Sequence, residues 1–235
     1  MYHSVNKKEY IFRIIIKFIA VFASLFGMIK GFGGSSSLTY FTYQSNIFIS
    51  LMLFIFMLLD LKILLTNHHQ KEKPQWLYII KFMATLSITV TLLVFAFILA
   101  PAFGSYYYAY FGMDGGVSFC LHLLTPLLAI FDFIFFDNYF KSKNSYALYA
   151  LIPPLCYVAY VIVMGQCFNY RWGNMMAPYN FLNYGAPCGW FKIQLGTFGM
   201  DTVGIGVFYM IIVLLLFFAL LGSLLLLINR KLHHN

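Results

Sequence analysis

Six apolar runs, at roughly residues 11–30, 45–66, 78–100, 117–137, 146–164 and 203–228, are each long enough to cross a bilayer. Few folds are open to such a chain. Inside lipid every backbone polar group must find its partner within the protein, and consecutive runs of this length do so as helices. The expected fold is all-α: a polytopic membrane protein forming a single six-span bundle over residues 1–235. A 62% hydrophobic content, 9% charged residues and a mean hydropathy of +0.81 lie far from soluble composition.

The 15 Lys and Arg exceed the 7 Asp and Glu by eight charges, an excess that topology explains without a nucleic-acid partner. Lys7, Lys8, Arg13, Lys17, Lys62, Lys71, Lys73, Lys81, Lys141, Lys143, Arg230 and Lys231 lie on or beside alternate connections and the two tails. Only Lys30, Arg171 and Lys192 lie toward the other side. The positive-inside rule then places both termini in the cytoplasm, and the cytoplasmic membrane is the expected location. Residues 7–29 begin like a signal peptide, but no small-x-small cleavage site follows, and they are read as the first span. Cys120, Cys156, Cys167 and Cys188 show no metal-binding spacing. Cys167 and Cys188 share one external loop and either pair there or stay free. His68, His69, His233 and His234 are read as solvated side chains rather than metal ligands.

Two spans carry polar stripes. In the fourth, His122, Thr125, Pro126 and Asp132 recur at the three-and-four spacing of one helical face. In the second, Thr42, Ser45, Asn46 and Asp60 share a face with Ile49, Leu53 and Phe56. Lipid cannot solvate such rows, so both faces should point into the bundle. Thr85, Ser87, Thr89 and Thr91 of the third span are read as packing groups, with Thr89 a candidate for lining a cavity. Pro101 is expected to end that span, and Pro153-Pro154 to kink or delay the fifth. The connection over 165–202 is long and aromatic, with Trp172, Tyr179, Phe181, Tyr184, Trp190 and Phe191.

Thr42 and His122 both stand near the external starts of their spans and can lie at similar depth. A threonine hydroxyl becomes a useful nucleophile when a neighbouring imidazole takes its proton, which makes this pair a candidate catalytic dyad. Asp132 lies about 15 Å along the helix from His122 at 1.5 Å per residue, too far to orient the imidazole. Asp60 and Asp132, near the other end of their helices, are assigned structural roles with Lys81 or Lys17 as counter-ions. Asn46, with Ser45 beside it, either stabilises a developing oxyanion, a role for which Asn180 and Asn183 compete, or makes an interhelical hydrogen bond.

The stretches YFTYQSNIFISL, FCLHLLTPLLAIFD and APYNFLNYG, with Leu59-Asp60-Leu61 between, resemble the androgen-induced protein family of six-span membrane hydrolases, especially its prokaryotic members. The resemblance implies a threonine nucleophile at Thr42 and a histidine base at His122, acting on fatty-acid esters of hydroxy fatty acids. Pro126 and Asp132 match the prokaryotic pattern. The chain departs from the family where the proline of APYNFLNY precedes its tyrosine, and in the FTYQSN context. A lipid-ester hydrolase needing no metal or organic cofactor, with membrane lipid or a fatty-acyl ester as its partner, is the resulting expectation. Cys120 beside His122 makes acyl transfer a nearby variant. A transporter or lipid-binding protein with a polar intramembrane cavity is the alternative, and a closed inner end would favour the enzyme.

Overall fold

The computed structural model describes residues 7–66, 73–193 and 204–233, which leaves His68, His69 and His234 outside the described residues. The described residues are 78% helical, with no strand among them. Among the described residues six helices are long and apolar enough to span a membrane: Lys7–Lys30, Phe41–Thr66, Gln75–Phe103, Val117–Phe136, Asn144–Gln166 and Val207–His233. They are numbered here as the first to sixth spans.

The chain divides into two compact units. One holds the described residues up to Tyr146 together with those from Ser223 onward. Within it the first span packs on the second, the second on the third, the third on the fourth and the fourth on the first, a closed square of helices. The first span turns Arg13, Lys17, Ala20, Ala23, Ser24 and Gly27 inward. Its small residues permit close approach, the usual basis of helix packing in lipid. A Cβ added at Gly27 would stand 2.7 Å from Leu121 Cγ, so only glycine fits there without displacing the fourth span. Ile49, Leu53 and Phe56 of the second span, Phe82 and Leu86 of the third and Phe133 of the fourth are fully buried between the helices.

Regular helix gives way at one end of this unit. The third span widens into a π-turn over Phe95–Leu99 and continues as a 3-10 turn over Ala100–Phe103. Pro101 therefore retunes the span, and the end comes at Gly104, whose φ of 76° breaks the helix. A second π-turn covers Tyr108–Gly112 and a third covers Cys120–Leu124, immediately before Pro126. Proline has no N–H to give the carbonyl four residues back, here that of His122, and a π-turn absorbs the lost bond. Asp114 opens the fourth span, accepting hydrogen bonds from the Ser118 N–H and hydroxyl.

The second unit, Ala147–Gly222, holds most of the fifth span, the described part of the long connection and the start of the sixth. The fifth span begins as a 3-10 segment over Asn144–Leu151 and becomes α-helical at Ile152, with Pro153 and Pro154 in its first turn. The prolines delay the α-helix rather than kink it. The connection is tied down by its aromatic rings, with Tyr184 stacked on Trp190 at 5.1 Å and Phe191 beside Phe208 at 5.4 Å. Cys167 is exposed and Cys188 buried, and no disulfide joins them.

Candidate functional site

The end of the first unit that carries the three π-turns also carries Thr42 and His122. His122 lies at the centre of the Cys120–Leu124 turn, and its ring stacks face to face on Phe95, with centroids 4.0 Å apart and planes inclined by 7°. Phe95 in turn lies 5.1 Å from Tyr110, so each π-turn contributes one ring to this cluster. His122 Nδ1 is buried and has no hydrogen-bond partner among the described residues. Buried polar atoms are nearly always paired, so such a nitrogen calls for an explanation.

Thr42 opens the second span, half-buried, with Asn46 one turn below. Asn46 Nδ2 donates to the Thr42 carbonyl at 2.8 Å and to the Leu121 carbonyl at 3.3 Å, and its Oδ1 accepts from Ser24 Oγ at 3.0 Å. One fully buried amide thus joins the first, second and fourth spans. It also places the backbone of Thr42 within two hydrogen-bond lengths of the residue preceding His122. Both amide hydrogens are used, so Asn46 acts as the interhelical bridge and has no donor left for an oxyanion. Ser45 is committed in the same way, to the Thr42 carbonyl at 3.1 Å and to Thr91 Oγ1 at 2.8 Å. Thr89 donates to the Thr85 carbonyl. No hydrogen bond joins the Thr42 hydroxyl to His122 among the described residues. Asn183 belongs to the second unit, where its Oδ1 accepts from the N–H groups of Met176 and Gly185 and shapes the loop. Asn180 lies in the short 3-10 turn of the same unit.

Asp60 and Asp132 lie at the opposite, basic end of the first unit, in a chain of alternating charge. Lys73 Nζ is 3.0 Å from Asp60, Lys17 is 2.9 Å from Asp60 and 2.6 Å from Asp132, and Lys81 is 2.5 Å from Asp132 and 2.7 Å from Asp137. All six side chains are buried. Opposite charges in alternation offset the desolvation that would otherwise exclude each one from a membrane interior. Arg13 extends the polar end, pairing with Glu9 and donating to the Phe136 carbonyl at 3.1 Å. Thr125 and Pro126 are buried between the two ends, and Thr125 Oγ1 donates to the Ala20 carbonyl at 3.4 Å.

In the sequence Lys73 reads as a topological charge on a connection and Asp137 as a residue without a role, yet both belong to this chain. A signal existed: three aspartates at one end of the spans require matching cations nearby, and Lys17 and Lys81 are too few. Phe95 and Ser24 carried no comparable signal, since an aromatic or a serine in a span is ordinary. Two surface grooves are formed by described residues of the unit. One, of about 670 Å³, runs between the second and third spans, and the other, of about 400 Å³, lies along the first. Neither is lined by Thr42 or His122.

Comparison with protein-family models, with curated proteins and with solved structures finds no match.

Proposed function

We propose that the protein is an integral-membrane lipid-ester hydrolase in which Thr42 is the nucleophile and His122 the base. The observation that carries this reading is the buried, partnerless Nδ1 of His122, one residue from a carbonyl that the Asn46 amide ties to Thr42. Catalytic hydrogen bonds are often long in a resting enzyme and tighten around the substrate, so a nucleophile and base need only share a depth and a neighbourhood beforehand. The resemblance in YFTYQSN and FCLHLLTP points to the same pair. It also points to fatty-acid esters of hydroxy fatty acids as the substrate class and to the cytoplasmic membrane as the location.

In the reaction, Thr42 Oγ1 attacks the acyl carbon while its proton passes to His122. The tetrahedral intermediate collapses as the imidazolium returns that proton to the leaving alcohol, forming an acyl-threonine. Water, deprotonated by the same imidazole, then releases the fatty acid and restores the hydroxyl. The step as written uses no metal or organic cofactor. With Asn46 and Ser45 committed to helix packing, stabilisation of the oxyanion falls to other donors. The ion chain supports an enzyme over a transporter, because a continuous passage would have to break several buried charge pairs at the basic end.

The test is labelling of the purified protein by a fluorophosphonate, repeated with Thr42→Ala and His122→Ala. The proposal expects labelling that either substitution abolishes while the protein remains monodisperse. Labelling that survives both would remove the dyad.

A further inference from the structure

The alternating ion chain has two unlike ends. Lys17 and Lys81 each sit between two carboxylates, and Asp60 and Asp132 each between two lysines. Among the described residues Lys73 has one carboxylate, Asp60, and Asp137 has one lysine. The chain therefore ends in a cation on one side. An ammonium has three hydrogens to donate, and among the described residues Lys73 gives one to a carboxylate and sets its charge against the Phe56 ring at 4.6 Å.

That terminal cation lines the groove of about 670 Å³ between the second and third spans. Phe48, Leu51, Met52, Ile55 and Leu59 form one wall, descending the second span from its middle to its basic end. Pro74, Trp76, Leu77 and Ile80 form the other. Lys73 is the only charged lining residue, is 7% exposed, and stands at the end where the third span begins. Trp76, 59% exposed beside it, marks the depth at which tryptophans meet lipid headgroups. An apolar trough of acyl-chain character, ending at headgroup depth on an ammonium with a single carboxylate partner among the described residues, fits one kind of occupant.

We infer that this groove is a specific site for an acidic phospholipid of the leaflet on the Lys73 side, with an acyl chain along the Phe48–Leu59 wall and the phosphate on Lys73. The lipid phosphate completes the alternation that the protein leaves open at Lys73. This site is separate from Thr42 and His122, and it stands or falls independently of the reaction proposed above. Burial lowers the pKa of Lys73, and a bound anion reverses that trend, so occupancy also favours the charged form of the lysine.

Trp76 supplies the readout. In a Trp172→Phe, Trp190→Phe background, the remaining tryptophan is placed in vesicles containing bromine-labelled phosphatidylglycerol or bromine-labelled phosphatidylcholine at equal fraction. The expected result is half-maximal quenching at about fivefold less of the acidic lipid, the factor one cation contributes near a membrane surface. Lys73→Gln should erase the preference, whereas Lys62→Gln, on an exposed cation of the neighbouring helix end, should keep it. Equal quenching by both lipids, or a preference that survives Lys73→Gln, overturns the inference. Should Lys73→Gln or the tryptophan background not fold, native mass spectrometry of the unaltered protein from mixed micelles decides. Retention of phosphatidylglycerol over phosphatidylcholine supports the site, and equal retention overturns it.

Discussion

The Lys17 ammonium stands 2.6 Å from the Asp132 carboxylate, with both side chains fully enclosed. The pair joins the first span to the fourth at the basic end of the unit. Lys17 also reaches Asp60, and Asp132 also reaches Lys81, so four helical elements meet through two residues. Removing one member leaves its neighbours charged and under-partnered in the buried interior. Asp132→Asn is expected to cost about 3–5 kcal/mol, the usual penalty for breaking a buried pair. Thermal unfolding in detergent micelles measures it, and an unchanged midpoint would show that the chain is not holding the spans together.

Lys73→Met should be milder than Lys17→Met, because Asp60 keeps Lys17 when Lys73 is lost, whereas loss of Lys17 strips a cation from two carboxylates. The pH dependence has a definite sign. Burial sets the folded pKa of Lys73 below its ordinary lysine value, outweighing the upward pull of Asp60. Between the folded and the unfolded value the unfolded chain holds a proton that the folded one does not, so stability rises with pH across that window. The wild type should therefore gain on Lys73→Met as pH climbs toward the ordinary lysine range. A gap that narrows instead contradicts this placement of Lys73.

Asn46→Ala removes two donated hydrogen bonds and one accepted bond from the junction of the first, second and fourth spans. Leaving the Leu121 carbonyl without its amide donor, and the Ser24 hydroxyl with only the long 3.4 Å bond to the backbone carbonyl of residue 46, should cost about 1–3 kcal/mol. If Asn46 also sets the spacing of Thr42 and His122, fluorophosphonate labelling should slow in variant protein that is still folded. Destabilisation with an unchanged labelling rate would confine Asn46 to packing.

Pro126→Ala restores an N–H facing the His122 carbonyl, which favours regular α-helix over the π-turn at Cys120–Leu124. Straightening the turn rotates the imidazole away from Phe95. The expected outcome is equal or greater thermal stability with reduced labelling. Full labelling in this variant would mean that the π-turn is not what presents His122.

Gly27→Val tests the closest approach of the first and fourth spans. The added atoms meet Leu121 Cγ and Cδ2 and approach Cys120 Cβ, in the turn that carries His122. Overpacking of this kind costs about 1–3 kcal/mol, and the midpoint of thermal unfolding should fall accordingly. No change would place the two helices farther apart than described.

The six spans were legible because hydropathy and length are local properties of the chain, and lipid leaves helices as the answer. The inward faces were legible for the same reason: polar groups at helical spacing have nowhere else to go. Neither argument could assign partners. Whether Asn46 would bridge helices or serve an oxyanion depended on the Leu121 carbonyl, 75 residues away in sequence. Lys73 looked like one more basic residue on a connection, and only the approach of Asp60 drew it into the interior. Hydropathy and helical spacing alone thus set which segments cross the membrane and which of their faces cannot meet lipid. The tertiary structure decided which charges and amides satisfy one another, because pairing depends on the register between separate helices and no single helix encodes it.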